Sequence, residues 1–164
     1  NLGNTMQYRY LIWGLFIVFL LFVGTLCYLQ SGRDVVGILW VQEHFPFIGR
    51  WLESLAEQSP SIYQDGWVAY HLSDIMWSAS FAMIICGIWV NQFSIFNLLL
   101  VGMGCAIFYE VLQLVGFARG TFDILDLLYS LSSGLLGTLL TYKLLKKHNI
   151  KEQYNESSLN GDNG

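Results

Sequence analysis

From Tyr10 to Leu29 the chain runs 20 residues without a charge, YLIWGLFIVFLLFVGTLCYL. At ~1.5 Å per residue a helix of that length spans ~30 Å, the thickness of a bilayer's hydrocarbon core. Composition points the same way. The 164 residues are 54% hydrophobic and 12% charged, against about 45–50% and about 25% in an ordinary soluble domain. The run is too long for a signal-peptide core of ~7–15 residues, and no small-x-small cleavage site follows it. The bulky Leu26 before Cys27 argues against a lipoprotein signal. The spacing therefore predicts a retained transmembrane helix.

Three more apolar runs follow, at about 72–90, 95–115 and 123–142. Together they predict an all-α integral membrane protein with four transmembrane helices in one compact domain. Residues 1–9 are then an N-terminal cytoplasmic segment, and 143–164 a basic stretch followed by a disordered cytoplasmic tail rich in Gly and Asn. Between spans one and two, the outer loop 30–66 is charged and carries Pro46 and Pro60. Inside it, residues 47, 48, 51, 52, 55 and 56 of FIGRWLESLAEQ are apolar, with Arg50, Glu53, Ser54 and Glu57 opposite. That is one helical stripe, and it predicts an amphipathic interfacial helix over 47–58 anchored by Trp51. The short Asn91–Ser94 link requires spans two and three to run antiparallel.

Charge sets the orientation. With both termini inside, Arg9, Lys143, Lys146, Lys147 and Lys151 lie inside and Arg33, Arg50 and Arg119 outside, so five of the eight basic residues face the cytoplasm. By the positive-inside rule this is N-in, C-in, and in a bacterium it is the inner (cytoplasmic) membrane. The net charge of −4 carries no basic patch for nucleic acid. Cys27, Cys86 and Cys105 each lie within an apolar run and read as small buried hydrophobes.

Polar residues inside the spans need a reason, because groups that are costly in hydrocarbon turn toward one another or toward a cavity. Asp74 opens span two, Glu110 and Gln113 close span three, and Asp123 and Asp126 open span four, so this topology puts them all in the outer leaflet. Each shares a stripe with small residues: Asp74-Ser78-Ala82, Gly102-Ala106-Glu110-Gln113, and Asp126-Ser130-Ser133-Gly137. Such faces let membrane helices approach closely. Spans two to four are therefore expected to meet there around an outward-opening polar pocket formed by Asp74, Glu110, Gln113, Arg119 and Asp126, with His71, Asp123 and Ser130 secondary. Asp123 reads as a helix cap, and Ser73-Asp74 as a helix N-terminus pair. Glu110 sits near a helix C-terminus, where the dipole disfavours an anion, and either carries a proton, pairs with Arg119 or holds a cation. If a metal binds, it is Mg²⁺ or Ca²⁺ on Asp74, Glu110 and Asp126; no cofactor motif accompanies them. Arg119 could instead take an anionic headgroup.

No Ser-His-Asp or Cys-His set, nucleotide loop or zinc spacing is present, so no enzyme is indicated. The pattern of Glu110-x-x-Gln113, Arg119, Asp126 and Gly134-x-x-Gly137, with the acidic Asp74 at the start of span two, resembles the VanZ-like family over roughly residues 70–137. These are small bacterial four-helix membrane proteins named for one that confers low-level teicoplanin resistance. Tyr129 and Ser130 stand where the family commonly has an Asn, and His71 precedes Asp74 rather than following it. The resemblance implies a four-helix fold and a role at the cell envelope, connected with glycopeptides or antibiotic resistance. Three functions stay open on the residues: a pocket for a lipid-linked or glycopeptide-type ligand, a proton- or cation-coupled carrier, and a structural membrane partner whose polar cluster only locks the helices.

Overall fold

A computed structural model describes residues 2–31, 36–62, 71–116 and 123–146, and within them the backbone is helix and connecting turn. The elements are α1 (Leu2–Ser31), α2 (Val36–His44), α3 (Pro46–Gln58), α4 (Ser73–Trp89), α5 (Ile95–Leu114) and α6 (Ile124–Thr141), the last continuing into a π-helical turn over Tyr142–Lys146. Three stretches are long and apolar enough to cross a membrane: Met6–Ser31, Ile95–Leu114 and Ile124–Lys146. Helix α4 is equally apolar but has 17 residues, ~26 Å of rise.

Local chemistry explains most of the boundaries. Pro46 occupies the first turn of α3, where its missing N–H costs nothing. Ser94 caps α5 by accepting from the Asn97 N–H at 3.4 Å. Asp123 caps α6, its Oδ1 accepting from the Leu125 N–H at 2.9 Å, as its sequence context predicts. Helix α5 stops at Gly116, whose φ of +78° is a left-handed conformation that glycine adopts without strain. Helix α4 begins at Ser73-Asp74, although π-helical backbone at His71 and Leu72 runs into it and Leu72 (φ −62°, ψ −43°) offers no side-chain cap. Helix α1 is continuous from Leu2, so the residues before the first span share its helix. One sequence expectation is corrected. Residues 36–44, read as irregular loop, form α2, which runs almost directly into α3 through Phe45, whose N–H donates to Val41 O at 2.7 Å.

Helices α1, α4, α5 and α6 form an up-down-up-down bundle. Helix α1 lies antiparallel on α4 through a reciprocal fit. Trp13 of α1 covers Gly87 of α4, and Trp77 of α4 covers Gly24 of α1; a Cβ on either glycine falls 2.3–2.5 Å from the indole. The packing among α4, α5 and α6 is closer still. A Cβ on Gly102 falls 2.0 Å from Thr138 Oγ1, one on Gly134 falls 2.5 Å from Ala106 Cβ, and one on Gly137 falls 3.0 Å from Ala79 O. Ser78, Ala82, Gly102, Ala106, Glu110, Ser130, Ser133 and Gly137 are all buried, so the small-residue stripes are the contact faces. Leu11, Ile12, Leu15, Val18 and Phe19 of α1, Phe96 and Phe108 of α5, and Leu136 of α6 point outward, the surface a bilayer requires.

The two ends of the bundle differ. At one, Arg9 donates to Leu144 O at 3.2 Å and Trp13 Nε1 to Thr141 Oγ1 at 3.1 Å. At the other, Gln30 ties α1 to the C-terminal side of α3. Its Nε2 lies 3.2 Å from both Ala56 O and Pro60 O, and its Oε1 accepts from the Ile62 N–H at 2.8 Å.

Candidate functional site

Antiparallel packing brings the end of α5 together with the starts of α4 and α6, and that junction is where the spans carry their carboxylates. Its floor is polar and satisfied. Ser78 Oγ of α4 lies 3.1 Å from Ser130 Oγ of α6 and 3.3 Å from Ala106 O of α5, joining three helices at one point.

One turn above Ala106 stands Glu110, 4% exposed. Its Oε2 is buried and, among the described residues, has no hydrogen-bond partner. Asp126, Asp74 and Asp123 lie within electrostatic range, all of the same sign. The neighbouring acids are engaged. Tyr28 at the end of α1 donates its hydroxyl to Asp74 Oδ1, and His71 Nδ1 pairs with Asp126 Oδ1. The His71 ring also tilts against Tyr129 at 4.9 Å between centroids. Asp123 is exposed and spends one oxygen on its cap.

The structure thus gathers Asp74, Glu110, Asp126, Ser130 and His71 at one end of the bundle, with Asp123 at its rim. Gln113 is half-buried one turn after Glu110. Arg119 lies outside the described residues. Among the described residues no three His, Cys, Asp or Glu side chains are grouped at metal-ligand geometry.

Two participants are missing from the sequence reading. Tyr28 was absorbed into an uncharged span, although its place at the far end of α1 puts it level with Asp74. Trp77 stacks edge-on to Tyr28 (centroids 6.0 Å apart) and holds a buried Nε1 that has no partner among the described residues. Both partnerships cross long stretches of chain, and helical periodicity does not report them.

Comparisons with protein-family models, with curated proteins and with solved structures return no match to this chain.

Proposed function

We propose that the chain is a four-span bacterial inner-membrane protein of the VanZ-like type, with both termini cytoplasmic. In this reading the acidic end of the bundle is an outward-facing pocket for an envelope lipid-linked or glycopeptide-type ligand. Helix α4 is the remaining span, its rise extended by the helical turn at His71-Leu72. Helix α3 lies in the headgroup layer, with Trp51, Phe47 and Ile48 exposed on its apolar side and Glu53 and Glu57 opposite.

The observation that supports a pocket over a purely structural lock is the orphaned Glu110 Oε2. A polar cluster that served only to hold helices together gains most when every member is satisfied, since an unpaired buried carboxylate costs several kcal/mol (of the order of 3–5). Here the flanking acids have partners and the deepest one keeps a bare oxygen. Sites built to meet a ligand leave such groups waiting.

The test is functional. Glu110→Gln and Arg119→Ala are expected to abolish the change in glycopeptide susceptibility or envelope integrity that the wild-type protein confers on a host, while both variants still accumulate in the membrane. Full activity in both overturns the reading. A proton- or cation-coupled carrier is the second reading, favoured by the same buried carboxylate. Proteoliposomes that move no ion and ignore an imposed gradient remove it.

A further inference from the structure

The carboxylates at the acidic end form a graded series. Asp123 is exposed at the rim, Asp126 is 20% exposed behind it, and Glu110 is 4% exposed at the bottom. Such a series lowers the energy of a cation continuously along its way in. The series ends on an oxygen that lacks a donor. An approaching anion meets like charge at every step.

The kind of cation is also constrained. Mg²⁺ or Ca²⁺ takes about six or more oxygens at ~2.0–2.6 Å, whereas two of the three acids here are already engaged, Asp74 by the Tyr28 hydroxyl and Asp126 by His71. A quaternary ammonium carries charge but no N–H, and leaves Oε2 without a donor. A primary ammonium brings charge and up to three N–H donors in one compact group. One can go to Glu110 Oε2, leaving others for neighbouring acceptors.

We propose that the acidic end of the bundle binds a primary ammonium group, with Glu110 Oε2 as its innermost contact. This rests on the ligand-pocket reading above and adds the charge and donor character of the group that reaches the bottom. Two sources present that chemistry, the headgroup of an aminophospholipid and the amine of a soluble ligand.

The experiment uses the full chain in phosphatidylcholine nanodiscs, with thermal unfolding as readout. Added ethanolamine is expected to raise the midpoint with concentration, while tetramethylammonium and sodium at equal ionic strength do not. Glu110→Gln should raise the half-saturating concentration by about tenfold or more, as loss of a charged hydrogen bond does. Asp123→Asn, at the rim, should weaken binding less than Glu110→Gln does. Asp126→Asn serves where Glu110→Gln does not fold, and is expected to weaken binding in the same direction. Nanodiscs containing phosphatidylethanolamine separate the sources: a raised midpoint without ethanolamine marks the lipid, an unchanged one the soluble amine. Equal shifts with tetramethylammonium, no shift with ethanolamine in either bilayer, or an undiminished shift in Glu110→Gln overturn the inference. So does a shift confined to Arg119→Ala, which assigns Glu110 to the chain's own guanidinium. In each of those outcomes the pocket reading stands or falls separately, on the susceptibility of cells carrying Glu110→Gln and Arg119→Ala.

Discussion

Each carboxylate at the acidic end has a different relation to its surroundings, and single substitutions should separate them. Asp74 is held by the Tyr28 hydroxyl, an inter-helix hydrogen bond that ties the end of α1 to the start of α4. Bonds of this kind inside membranes contribute about 0.6 kcal/mol on average and up to about 1.7 kcal/mol. Tyr28→Phe keeps the ring against Trp77 and removes only the donor, so it should lower unfolding stability by about 1 kcal/mol in a reversible denaturation measured in mixed micelles. Glu110 should behave in the opposite way. Among the described residues its Oε2 has no partner to lose, so an amide of the same shape breaks no hydrogen bond there. Glu110→Gln is expected to leave stability unchanged or raise it, even as it removes function. A loss of about 2 kcal/mol or more would instead assign Glu110 to the scaffold. The Tyr28–Asp74 and His71–Asp126 pairs join residues 46 and 55 positions apart. A single sequence holds no signal linking such positions, and reading them needs the helices already docked.

At the level of elements, the helices pack through glycines on some faces and ignore them on others. Gly134 of α6 is pressed on α5, where a Cβ falls 2.5 Å from Ala106 Cβ and 3.3 Å from Gly102 O. Gly104 of α5 has nothing within 4 Å of a Cβ. Gly134→Ala should therefore push α5 and α6 apart and destabilise by about 1–3 kcal/mol, as overpacking does. Gly104→Ala should be neutral or stabilising by up to about 1 kcal/mol, because alanine restricts a helical backbone. The difference between the two in one thermal-unfolding series checks the packing. The contrast is legible in the sequence for Gly102 and Gly137, since each recurs every three or four residues with other small or polar side chains, whereas Gly134 enters there only through the Gly134-x-x-Gly137 pair of the VanZ-like resemblance. It was not legible for α1. Gly24 and Gly87 stand alone among large residues, and their meaning lies in Trp77 and Trp13 on the opposite helix. Helix α2 escaped notice for another reason. Nine residues, VGILWVQEH, ending just before Phe45-Pro46, are too few to establish a helical period, and proline beside them reads as a break. Here Pro46 opens the next helix instead.

On the scale of the whole molecule, the four bundle helices carry basic side chains near one end and carboxylates at the other, and this predicts how the bundle sits in a bilayer. Arg9 and Lys146 are drawn to carbonyls at one end, Leu144 O and Asn91 O. Asp74, Glu110 and Asp126 gather at the other, beside the α2–α3 hairpin. Cytoplasmic loops retain Lys and Arg, so the end with Arg9, Asn91 and Lys146 is predicted to face the cytoplasm and Ser61 the outside. Labelling with a membrane-impermeant maleimide on intact cells tests this. The background carries Cys27→Ser, Cys86→Ser and Cys105→Ser, removing the native thiols, two of which are buried. In that background Ser61→Cys is expected to react before lysis and Asn91→Cys only after it. Both sites lie in exposed turns, so a difference between them reports sidedness rather than burial. The reverse pattern places the carboxylates in the cytoplasm and ends the case for an envelope ligand. Reaction of both on intact cells contradicts the count of spans, because α4 is the one predicted span between Ser61 and Asn91. An odd number of crossings between them is what the four-span arrangement requires and what three long helices with a surface-bound α4 do not provide.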